Sequence, residues 1–410
     1  MTLRVGIEKL RVYPASCSLD IGELCKARGM DAERTLSDLM VEQRSVNPPW
    51  EDAVTLAVNA AQPMLLPEDR SSIGLLLVGT ESSVDQEKPV SSWVHHYLNL
   101  PDDCLNLEVK HACYAATGAL ELAKAWVSSP TSNGRKALIV STDQTTMTIG
   151  EPWEPVCGAG AAAVLISREP KVIEYELGRC GVFAHEVSDV IRPNMRLETG
   201  NSETSLFAYL TAVEGAYTRY LESVGETVDF DRYFQRILYH TPFGGMTYRA
   251  HRALLKMNSN LKNSETWQNY AIKTLPALRY NKRMGATYGA STFIGLIGLL
   301  DSDPDVKAGD RLGIFAYGSG SCAQFYSAIV KPDAHAIAAS VELKAQLDAR
   351  RTLSVDEYEI VEKERDAHVG VSHFTPTWDI LGDWYDQFYR GKNRLVLRGI
   401  ADYYREYDWS

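Results

Sequence analysis

The sequence has no long apolar run and no strongly basic segment. No stretch approaches the roughly 20 consecutive apolar residues that a membrane-spanning helix needs, and the first residues, MTLRVGIEKLRVYP, lack the apolar core of a signal peptide. The formal net charge of -11 argues against binding to nucleic acid, because phosphate contacts require a basic surface. We therefore predict a cytoplasmic protein that binds neither a membrane nor nucleic acid.

Cysteine pairs and phosphate-binding loops are also missing. The seven cysteines are scattered along the chain without a CxxC pair, which is typical of free thiols in a reducing compartment and indicates no structural zinc. The glycine patterns GxGxxG and GxxxxGK do not occur, and no group of residues has metal-ligand spacing. We therefore expect no metal and no bound cofactor.

The sequence does contain an alternation of short apolar runs with helical segments. Three runs predict buried strands at Ile73–Gly79, Ala137–Ser141 and Ala161–Ile166. Helical periodicity covers Val54–Met64 and Ala112–Ser128. Apolar strands that alternate with helices indicate an α/β protein with a buried parallel or mixed sheet and helices on both faces.

A similar order recurs after about residue 170. The predicted elements of this second part are strands at Arg236–His240, Leu312–Tyr317 and Gln324–Val330 and helices at Ser205–Val224, His251–Asn258 and Ala290–Leu300. A chain of 410 residues has room for two domains or one large duplicated domain. We predict an N-terminal half at 1–170, a C-terminal half at 171–335 and a helical extension at 336–410. The aromatic residues of this extension either cap the core or form an interaction surface.

Three residues stand where an α/β protein can carry out chemistry. Cys113 lies at the predicted start of a helix of small residues, where the helix dipole and free N–H groups favour a thiolate. His240 follows a strand and precedes the sharp turn Pro-Phe-Gly-Gly. Glu81 follows a buried strand, and partial burial there raises a carboxyl pKa towards that of a general base. Each residue also fits a structural role: a buried thiol, a core histidine or a hydrogen-bonded turn carboxylate.

Two glycine-rich loops could complete such a site. Tyr317–Gly320 (YGSG) follows a predicted strand, and Gly285–Ser291 (GATYGAS) opens a predicted helix. Either loop could present backbone N–H groups to an oxyanion or admit a thin acyl chain.

Taken together, these motifs resemble the hydroxymethylglutaryl (HMG) synthase family of the thiolase superfamily. The matching stretches are VGTES around Glu81, KHACYAATGAL around Cys113, HTPF at His240, GAGAAAVLIS at Gly158–Ser167 and AYGSG at Ala316–Gly320. The resemblance implies the thiolase fold, with two related βαβαβαββ halves in a layered α-β-α-β-α arrangement. It also implies a homodimer.

Details of the motifs narrow the resemblance. The chain lacks the lysine that HMG synthases of primary metabolism usually carry soon after the catalytic histidine. With its ending RLVLRGIADYYREYDW, it is similar to the branch that installs β-branches on polyketide intermediates bound to carrier proteins. It departs from the family at EPWEPVCG, where relatives often have an ARPTGG-like string, and at Ala286, where the family commonly has an acceptor-orienting asparagine. The second departure leaves open how the acceptor is positioned.

The resemblance implies a mechanism in which both substrates are thioesters of phosphopantetheine, on a carrier protein or in CoA. An acetyl group passes to Cys113, Glu81 removes a methyl proton, and the enolate attacks the β-keto carbon of an acceptor that His240 binds. Water then releases the Cys113 thioester as a carboxylate, which leaves a 3-hydroxy-3-carboxymethyl acyl product. Further residues expected to bind the oxyanion or the substrate are Ser319, Gly318, Gly158 and Tyr288.

Donor and acceptor carrier proteins would be the partners, and acidic carrier proteins need a basic docking surface on this acidic enzyme. The candidate contacts are Arg28 and Arg34 in one stretch with Lys26, and Arg249 and Arg252 in another with Lys256. The simpler interpretation of these charges is a solvated surface.

Three other functions fit parts of the sequence. A ketoacyl-carrier-protein synthase III shares the fold and the cysteine–histidine pair, but it uses an asparagine and has no glutamate at the strand end. An HMG-CoA synthase of the mevalonate pathway would use acetoacetyl-CoA. A non-catalytic thiolase-fold scaffold that binds carrier proteins is favoured only by Ala286.

Overall fold

The chain folds into strands and helices that follow the predicted alternation, with further short elements between them. The computed structural model describes residues 3–258 and 262–410. The strands are β1 (Gly6–Tyr13), β2 (Cys17–Asp20), β3 (Gln43–Val46), β4 (Ile73–Gly79), β5 (Leu105–Val109), β6 (Lys136–Gln144), β7 (Ala159–Ser167), β8 (Ile173–Ala184), β9 (Val190–Asn194), β10 (Leu197–Gly200), β11 (Arg236–Tyr239), β12 (Arg311–Gly318), β13 (Cys322–Val330), β14 (Arg351–Leu353), β15 (His373–Phe374), β16 (Leu395–Ala401) and β17 (Tyr404–Trp409).

The helices cover both predicted halves and the C-terminal extension. They are α1 (Ile21–Ala27), α2 (Ala32–Leu39), α3 (Ala53–Ala61), α4 (Pro67–Ser72), α5 (Val90–Tyr97), α6 (Ala115–Ser128), α7 (Ser202–Val224), α8 (Phe230–Tyr233), α9 (Gly244–Asn258), α10 (Asn263–Lys273), α11 (Asn281–Met284), α12 (Ala290–Ser302), α13 (Ala334–Ser340), α14 (Leu343–Asp348), α15 (Val355–Ala367) and α16 (Trp384–Phe388). Short 3₁₀ turns lie at Gln62–Met64, Ala112–Tyr114, Pro130–Ser132, Glu154–Val156 and Leu275–Leu278. Within the described part of the chain, no helix combines the length and the apolar character needed to cross a membrane.

The main sheet repeats one strand order in its two halves. The strands run β11-β12-β13-β8-β1-β7-β6-β4-β5. In the first half β5, β4 and β6 are parallel, and β7 is antiparallel to both β6 and β1. In the second half β11 and β12 are parallel, and β13 is antiparallel to both β12 and β8. The second half therefore repeats the first with one parallel strand fewer.

The two halves meet where β1 pairs with β8. The pairing is short and joins Gly6 with Glu174 and Ile7 with Ile173. A Cβ on Gly6 would lie 2.0 Å from the carbonyl oxygen of Ile173, so only glycine permits this approach. Outside this seam the halves are held together by the helices packed between them.

The molecule has five layers of helices and strands, because helices cover both faces of the strands in each half. Leu76 and Val78 of β4 pack outward against α3 and α5, whereas Leu75 and Leu77 pack inward against α6 and α12. The second half buries its inner face against the same central helices and its outer face, with Phe315 of β12, against α7 and α9. The result is the α-β-α-β-α arrangement of the thiolase fold, as predicted.

The C-terminal extension, which was predicted to be helical, contains α14, α15 and α16 and also the hairpin β16–β17, which was not predicted. Leu395 and Leu397 of this hairpin join the outer core of the first half. Val396 packs in a small cluster with Trp50 and Tyr389. Tyr389 and Tyr407 of the extension therefore cover the core, whereas Tyr403 and Tyr404 are exposed. The domain boundaries near 170 and 335 remain predictions.

Candidate active site

Cys113 lies in the 3₁₀ turn Ala112–Tyr114, directly before α6. Ala112 has a φ of +41°, so the chain turns through the left-handed region just ahead of the cysteine. The side chain of Cys113 is half-buried, and α6 continues into the core with the small residues Ala115 and Ala116. These small side chains let the N-terminal end of the helix lie deep in the molecule.

The sulfur of Cys113 is a neutral thiol at rest. Burial raises the pKa of the thiol well above its ordinary value, and surrounding carboxyl groups raise the pKa further. These groups belong to Asp143, Glu198, Glu81 and Asp189. Burial and the neighbouring carboxyl groups therefore oppose the thiolate that the helix dipole favours.

Glu81 reaches from the end of β4 to the turn that precedes α6. Its carboxylate accepts a short hydrogen bond from the backbone N–H of Ala112, and its own backbone N–H donates to Asp143 at 2.8 Å. Burial raises the pKa of Glu81, while the N–H of Ala112 and the charges of Lys110 and Arg192 lower it. A half-buried carboxylate with a raised pKa beside a thiol suits a general base.

Asp143 lies at the end of β6, next to Glu81. Its Oδ1 accepts hydrogen bonds from the hydroxyl of Thr80 at 3.2 Å, the N–H of Glu81 at 2.8 Å and the hydroxyl of Ser82 at 2.9 Å. Burial raises the pKa of Asp143 to about 8, and the charge of Glu81 adds to this effect. Asp143 is therefore mainly protonated at neutral pH, so the site avoids a second buried negative charge beside Glu81.

His240 lies at the end of β11 and is almost completely buried. Its Nδ1 is 2.9 Å from the hydroxyl oxygen of Ser291, and its backbone carbonyl accepts the hydroxyl of Tyr209 at 2.7 Å. Burial lowers the pKa of His240 to about 3, so the imidazole is neutral. Its Nε2 is buried and makes no hydrogen bond to any described residue, which leaves this nitrogen available to a substrate.

The segment that opens α12 connects Cys113 with His240. A Cβ on Gly289 would lie 3.1 Å from the carbonyl oxygen of Cys113 and 2.7 Å from Cβ of Ala116. Ser291, shortly after it, holds the imidazole of His240. Cys113 and His240 therefore contact the same short segment, Cys113 at Gly289 and His240 at Ser291.

The YGSG loop borders the same turn from the second half. A Cβ on Gly318 would lie 2.6 Å from the carbonyl oxygen of His111 and from the backbone nitrogen of Tyr114. The end of β12 is therefore in direct backbone contact with the Cys113 turn, and Ser319 follows it as a half-buried residue. Gly318 and Ser319 therefore border the Cys113 turn.

The other two residues expected to bind substrate have structural partners. A Cβ on Gly158 would lie 2.3 Å from the carbonyl oxygen of Met284, so Gly158 permits close packing against the loop that carries Ala286. The hydroxyl of Tyr288 donates to Glu198 at 2.7 Å. Gly158 shapes the loop beside the site, and the hydroxyl of Tyr288 already has a partner.

Three residues that contact the candidate catalytic groups were not singled out from the sequence. Asp143 closely follows the predicted strand Ala137–Ser141, and Ser291 is the last residue of the glycine-rich loop Gly285–Ser291, so each is a polar residue at the end of a strand or the start of a helix. Arg192 lies on the polar hairpin β9–β10 and donates to the backbone carbonyl of Glu81 at 2.6 Å. Nothing in the local sequence marks Arg192, because its partners are far away along the chain.

A cavity of about 920 Å³ opens beside the segment that carries His240. Its wall includes the start of α9, which follows His240 closely, and apolar side chains such as Leu206 and Trp267. Three cations also line it: Arg249, Arg252 and Lys282. None of the three forms an ion pair with another residue of the described chain, so the cavity offers free positive charge to an anionic ligand.

The two remaining arginine candidates differ from each other. Arg34 is exposed on α2 and pairs with Asp38, which lines the cavity. Arg28 instead binds the buried carboxylate of Glu154 at 2.9 Å and that of Glu359 at 2.8 Å. Arg28 is already neutralised by two carboxylates, so it holds the extension against the first half and has no free charge for a carrier protein.

Metal ligands are not grouped in this part of the molecule. Among residues 3–258 and 262–410, no cluster of three or more histidine, cysteine, aspartate or glutamate side chains could hold a metal ion.

Comparison with family models gives two matches. Residues 2–171 match the model described as hydroxymethylglutaryl-coenzyme A synthase N terminal, and residues 252–405 match the corresponding C-terminal model. The chain is 34% identical over 418 residues to the polyketide biosynthesis 3-hydroxy-3-methylglutaryl-ACP synthase PksG of Bacillus subtilis (strain 168), covering 98% of this chain and 99% of that protein. It is 30% identical to the hydroxymethylglutaryl-CoA synthase of Enterococcus faecalis, over 87% of this chain and 91% of that protein.

A solved structure agrees with these matches over the whole chain. The HMG synthase of the curacin biosynthetic pathway, crystallised in complex with a holo donor-ACP, superimposes with a TM-score of 0.95 at 36% sequence identity. The superposition covers 99% of this chain and 100% of the other.

Proposed function

The chain belongs to the hydroxymethylglutaryl-coenzyme A synthase family, and within that family we propose that it condenses carrier-protein-bound substrates to form β-branches in polyketide biosynthesis. It is an acyl-transferring condensing enzyme. The observation that carries the proposal is the hydrogen bond from the N–H of Ala112 to the Glu81 carboxylate, which supports Glu81 as the base that acts next to Cys113. The PksG and curacin relatives support carrier proteins as the source of both acyl groups.

The first step transfers acetyl to Cys113. The sulfur attacks the carbonyl carbon of an acetyl thioester, the bond from that carbon to the carrier sulfur breaks, and the proton of the Cys113 thiol passes to the departing thiolate. Because burial raises the pKa of Cys113, this proton has to leave as the bond forms rather than beforehand.

The second step forms the nucleophilic carbon. The Glu81 carboxylate removes a proton from the methyl group of acetyl-Cys113, and the electron pair moves onto the acetyl oxygen as an enolate. Backbone N–H groups at Cys113 and Ser319 are the proposed donors to that oxygen, since the YGSG loop packs on the Cys113 turn. Burial favours this step, because a carboxylate with a raised pKa is a stronger base.

The third step joins the two acyl groups. The enolate carbon attacks the β-keto carbon of the acceptor, and the ketone oxygen becomes a hydroxyl by taking the proton that Glu81 removed from the methyl group, which restores the Glu81 carboxylate. Ser291 accepts the N–H of Thr241 at 3.2 Å, so its own hydroxyl hydrogen is free to reach Nδ1 of His240. This arrangement places the ring proton on Nε2, where it can donate to the acceptor. Water then cleaves the Cys113 thioester, which yields a free carboxylate and restores the thiol.

We propose that carrier proteins dock at the mouth of the cavity. Arg249, Arg252 and Lys282 supply positive charge without competing ion pairs, and Arg34 lies at the edge. Leu206 and Leu210 of α7 add apolar surface to the cavity wall. Acidic carrier helices and the phosphodiester of the pantetheine arm both suit a basic mouth with apolar walls.

Charge reversal tests this docking surface. The double variant Arg249→Glu with Arg252→Glu should raise the KM for an acetyl-loaded carrier protein about 10-fold or more, with a smaller effect at high salt. Arg232→Glu is the matched control, because Arg232 is an exposed arginine on α8 outside the cavity. An unchanged KM in the double variant would remove these arginines from the docking surface.

We further propose a homodimer that forms through strand β5. This strand is the edge of the main sheet, and it exposes Leu105 and Leu107 to 60% and 54%. Its other face is covered, since Asn106 and Glu108 accept hydrogen bonds from α5. An exposed apolar edge strand is a template for pairing with a second copy.

The dimer is tested by light scattering coupled to size-exclusion chromatography. Leu105→Asp combined with Leu107→Asp should give a monomer. Leu66→Asp is the control, because Leu66 is similarly exposed but lies before α4, outside the edge strand. A double variant that keeps the mass of the wild-type protein would argue against pairing through β5.

The central experiment compares acetyl-CoA with an acetyl-loaded carrier protein as donors. Peptides containing Cys113 are weighed for an added acetyl group, and Cys113→Ala is the negative control. Faster labelling by the carrier protein supports the proposal, whereas faster labelling by acetyl-CoA supports the mevalonate-type alternative. Absence of an adduct from either donor would favour a non-catalytic scaffold.

The cellular location is proposed as cytoplasmic. All seven cysteines are free thiols, and four of them are fully buried. Free thiols throughout a chain are typical of a reducing compartment. No bound cofactor is proposed, since the two thioesters and water supply every atom of the product.

A further inference from the structure

Arg192 connects the general base with the loop that carries Ala286. From the hairpin β9–β10 its guanidinium donates to the backbone carbonyl of Glu81 at 2.6 Å and to the hydroxyl of Tyr288 at 2.6 Å. It also donates to Glu198 from Nε at 3.0 Å and through a second, shorter contact. One side chain thereby joins the end of β4, the β9–β10 hairpin and the loop before α12.

The hairpin itself is anchored to the loop beside the nucleophile. Asp189, at the base of the hairpin, is completely buried. It accepts the hydroxyl of Tyr317 at 2.7 Å and the N–H of Gly320 at 3.1 Å. Its backbone carbonyl accepts the N–H of Asn201 at 3.0 Å. Arg192 therefore projects from a support that is fixed to the YGSG loop, so its own position is well defined.

We infer that Arg192 is a positioning residue for the condensation step, which holds the Glu81 main chain and the Tyr288 loop in one arrangement around the acetyl group. The inference rests on the proposed function. A backbone carbonyl held by a guanidinium fixes the direction in which the Glu81 side chain leaves the chain, and hence its contact with the N–H of Ala112. Tyr288 follows Ala286 closely, so the same arginine stabilises the loop in which the usual asparagine is missing.

The charge of Arg192 has a second effect on Glu81. The charged and titratable groups around the carboxyl are Asp143, Cys113, His111, Lys110 and Arg192, and Arg192 is itself paired with Glu198. Asp143 and Cys113 are mainly neutral at neutral pH, and Lys110 is exposed, so solvent screens its charge. Arg192 is largely buried and is therefore the principal cation that favours the ionised base.

The direction of the pH effect follows from this geometry. Glu81 accepts a proton only when it is ionised, so the rate of condensation rises as pH increases through the pKa of Glu81. Burial raises that pKa and Arg192 lowers it. Removal of the positive charge should therefore raise the pKa, and the acid limb of the rate profile should move to higher pH.

The test separates acetyl transfer from condensation. Each enzyme is first acetylated with an acetyl-loaded carrier protein, and acetoacetyl-pantetheine is then added for a single turnover between about pH 5 and pH 9. Acetylation and loss of the adduct are both followed by mass spectrometry. The variants are Arg192→Met and Arg192→Lys. The control is Arg196→Met, because Arg196 is an exposed cation of the same hairpin and pairs with Asp366 instead of with the site.

Arg192→Met should be acetylated within about threefold of the wild-type rate but condense about 10-fold or more slowly at neutral pH, with its acid limb at higher pH. Arg192→Lys should restore the position of the acid limb, and Arg196→Met should match the wild type. An unmoved acid limb in Arg192→Met, or equal losses of acetylation and condensation in both Arg192 variants, would overturn the inference. A wild-type enzyme that accepts acetyl but never condenses would instead refute the proposed function.

Discussion

The carboxylate of Glu81 accepts a hydrogen bond from the backbone N–H of Ala112, the residue directly before Cys113. This contact joins the end of β4 to the turn that opens α6. It is possible because Gly79 lacks a side chain: a Cβ there would lie 2.8 Å from the backbone nitrogen of Ala116. The close approach of strand and helix thus brings a base to the nucleophile, and several predictions depend on it.

Glu81→Gln should separate the two chemical steps. The amide oxygen can still accept the N–H of Ala112, so the turn keeps its shape, but the side chain can no longer remove a proton. We expect acetylation of Cys113 to persist and condensation to fall about 100-fold or more. Single-turnover mass spectrometry measures both steps. Full condensation in this variant would point instead to the decarboxylating chemistry of a ketoacyl synthase.

Asp143→Asn should change how stability depends on pH. The pKa of Asp143 is raised to about 8 in the folded protein and is about 4 in an unfolded chain. Between these two pH values the folded state holds a proton that the unfolded state releases. The contribution of Asp143 to the free energy of unfolding is therefore complete below about pH 4 and is lost as pH rises through about 8. Asparagine keeps the accepting oxygen and cannot ionise.

The Tm of the wild-type protein should consequently fall by a few degrees more than that of Asp143→Asn between about pH 6 and pH 9. Asp85→Asn is the control, because hydrogen bonds to the backbone N–H groups of Glu87 and Lys88 lower the pKa of Asp85. Parallel curves of Tm against pH for the wild type and Asp143→Asn would contradict the prediction.

Ser291→Ala should weaken condensation through His240. The variant removes the partner of Nδ1 and leaves the imidazole free to place its proton on either nitrogen. We expect condensation to fall about 10-fold while acetyl transfer changes less. Ser302→Ala, at the other end of α12, is the control. Equal activity of the two serine variants would show that Ser291 does not orient the histidine.

Leu397→Ala should destabilise the whole first half. Leu397 lies in the C-terminal hairpin but is fully buried in the outer core with residues of α3 and β4. Removing its side chain should lower the free energy of unfolding by about 2–5 kcal/mol. Chemical denaturation measures the change, and Tyr404→Ala, at an exposed position of the same hairpin, should have little effect. A small change in Leu397→Ala would mean that the hairpin folds independently of the core.

The sequence by itself determined the layered α/β architecture, because uninterrupted apolar strands have to be buried on both faces. β4 has the predicted bounds, and β6 and β7 extend the predicted runs by a few residues. β1 and β8 were not predicted, since charged residues interrupt their apolar pattern, as Lys9 does in β1. The hairpin β16–β17 was missed because only its contact with the first half buries it.

The motifs also determined where Glu81, Cys113 and His240 lie on their elements, because each follows a strand or opens a helix. Only the tertiary structure decided the protonation of the site. Burial and neighbouring carboxyl groups make Cys113 a thiol and His240 a neutral imidazole, effects that depend on distances across the fold. It also decided that Arg28 pairs with Glu154 whereas Arg192 holds Glu81. The role of a charged residue depends on the groups that it contacts. Those groups lie in distant segments of the chain that come together only when it folds.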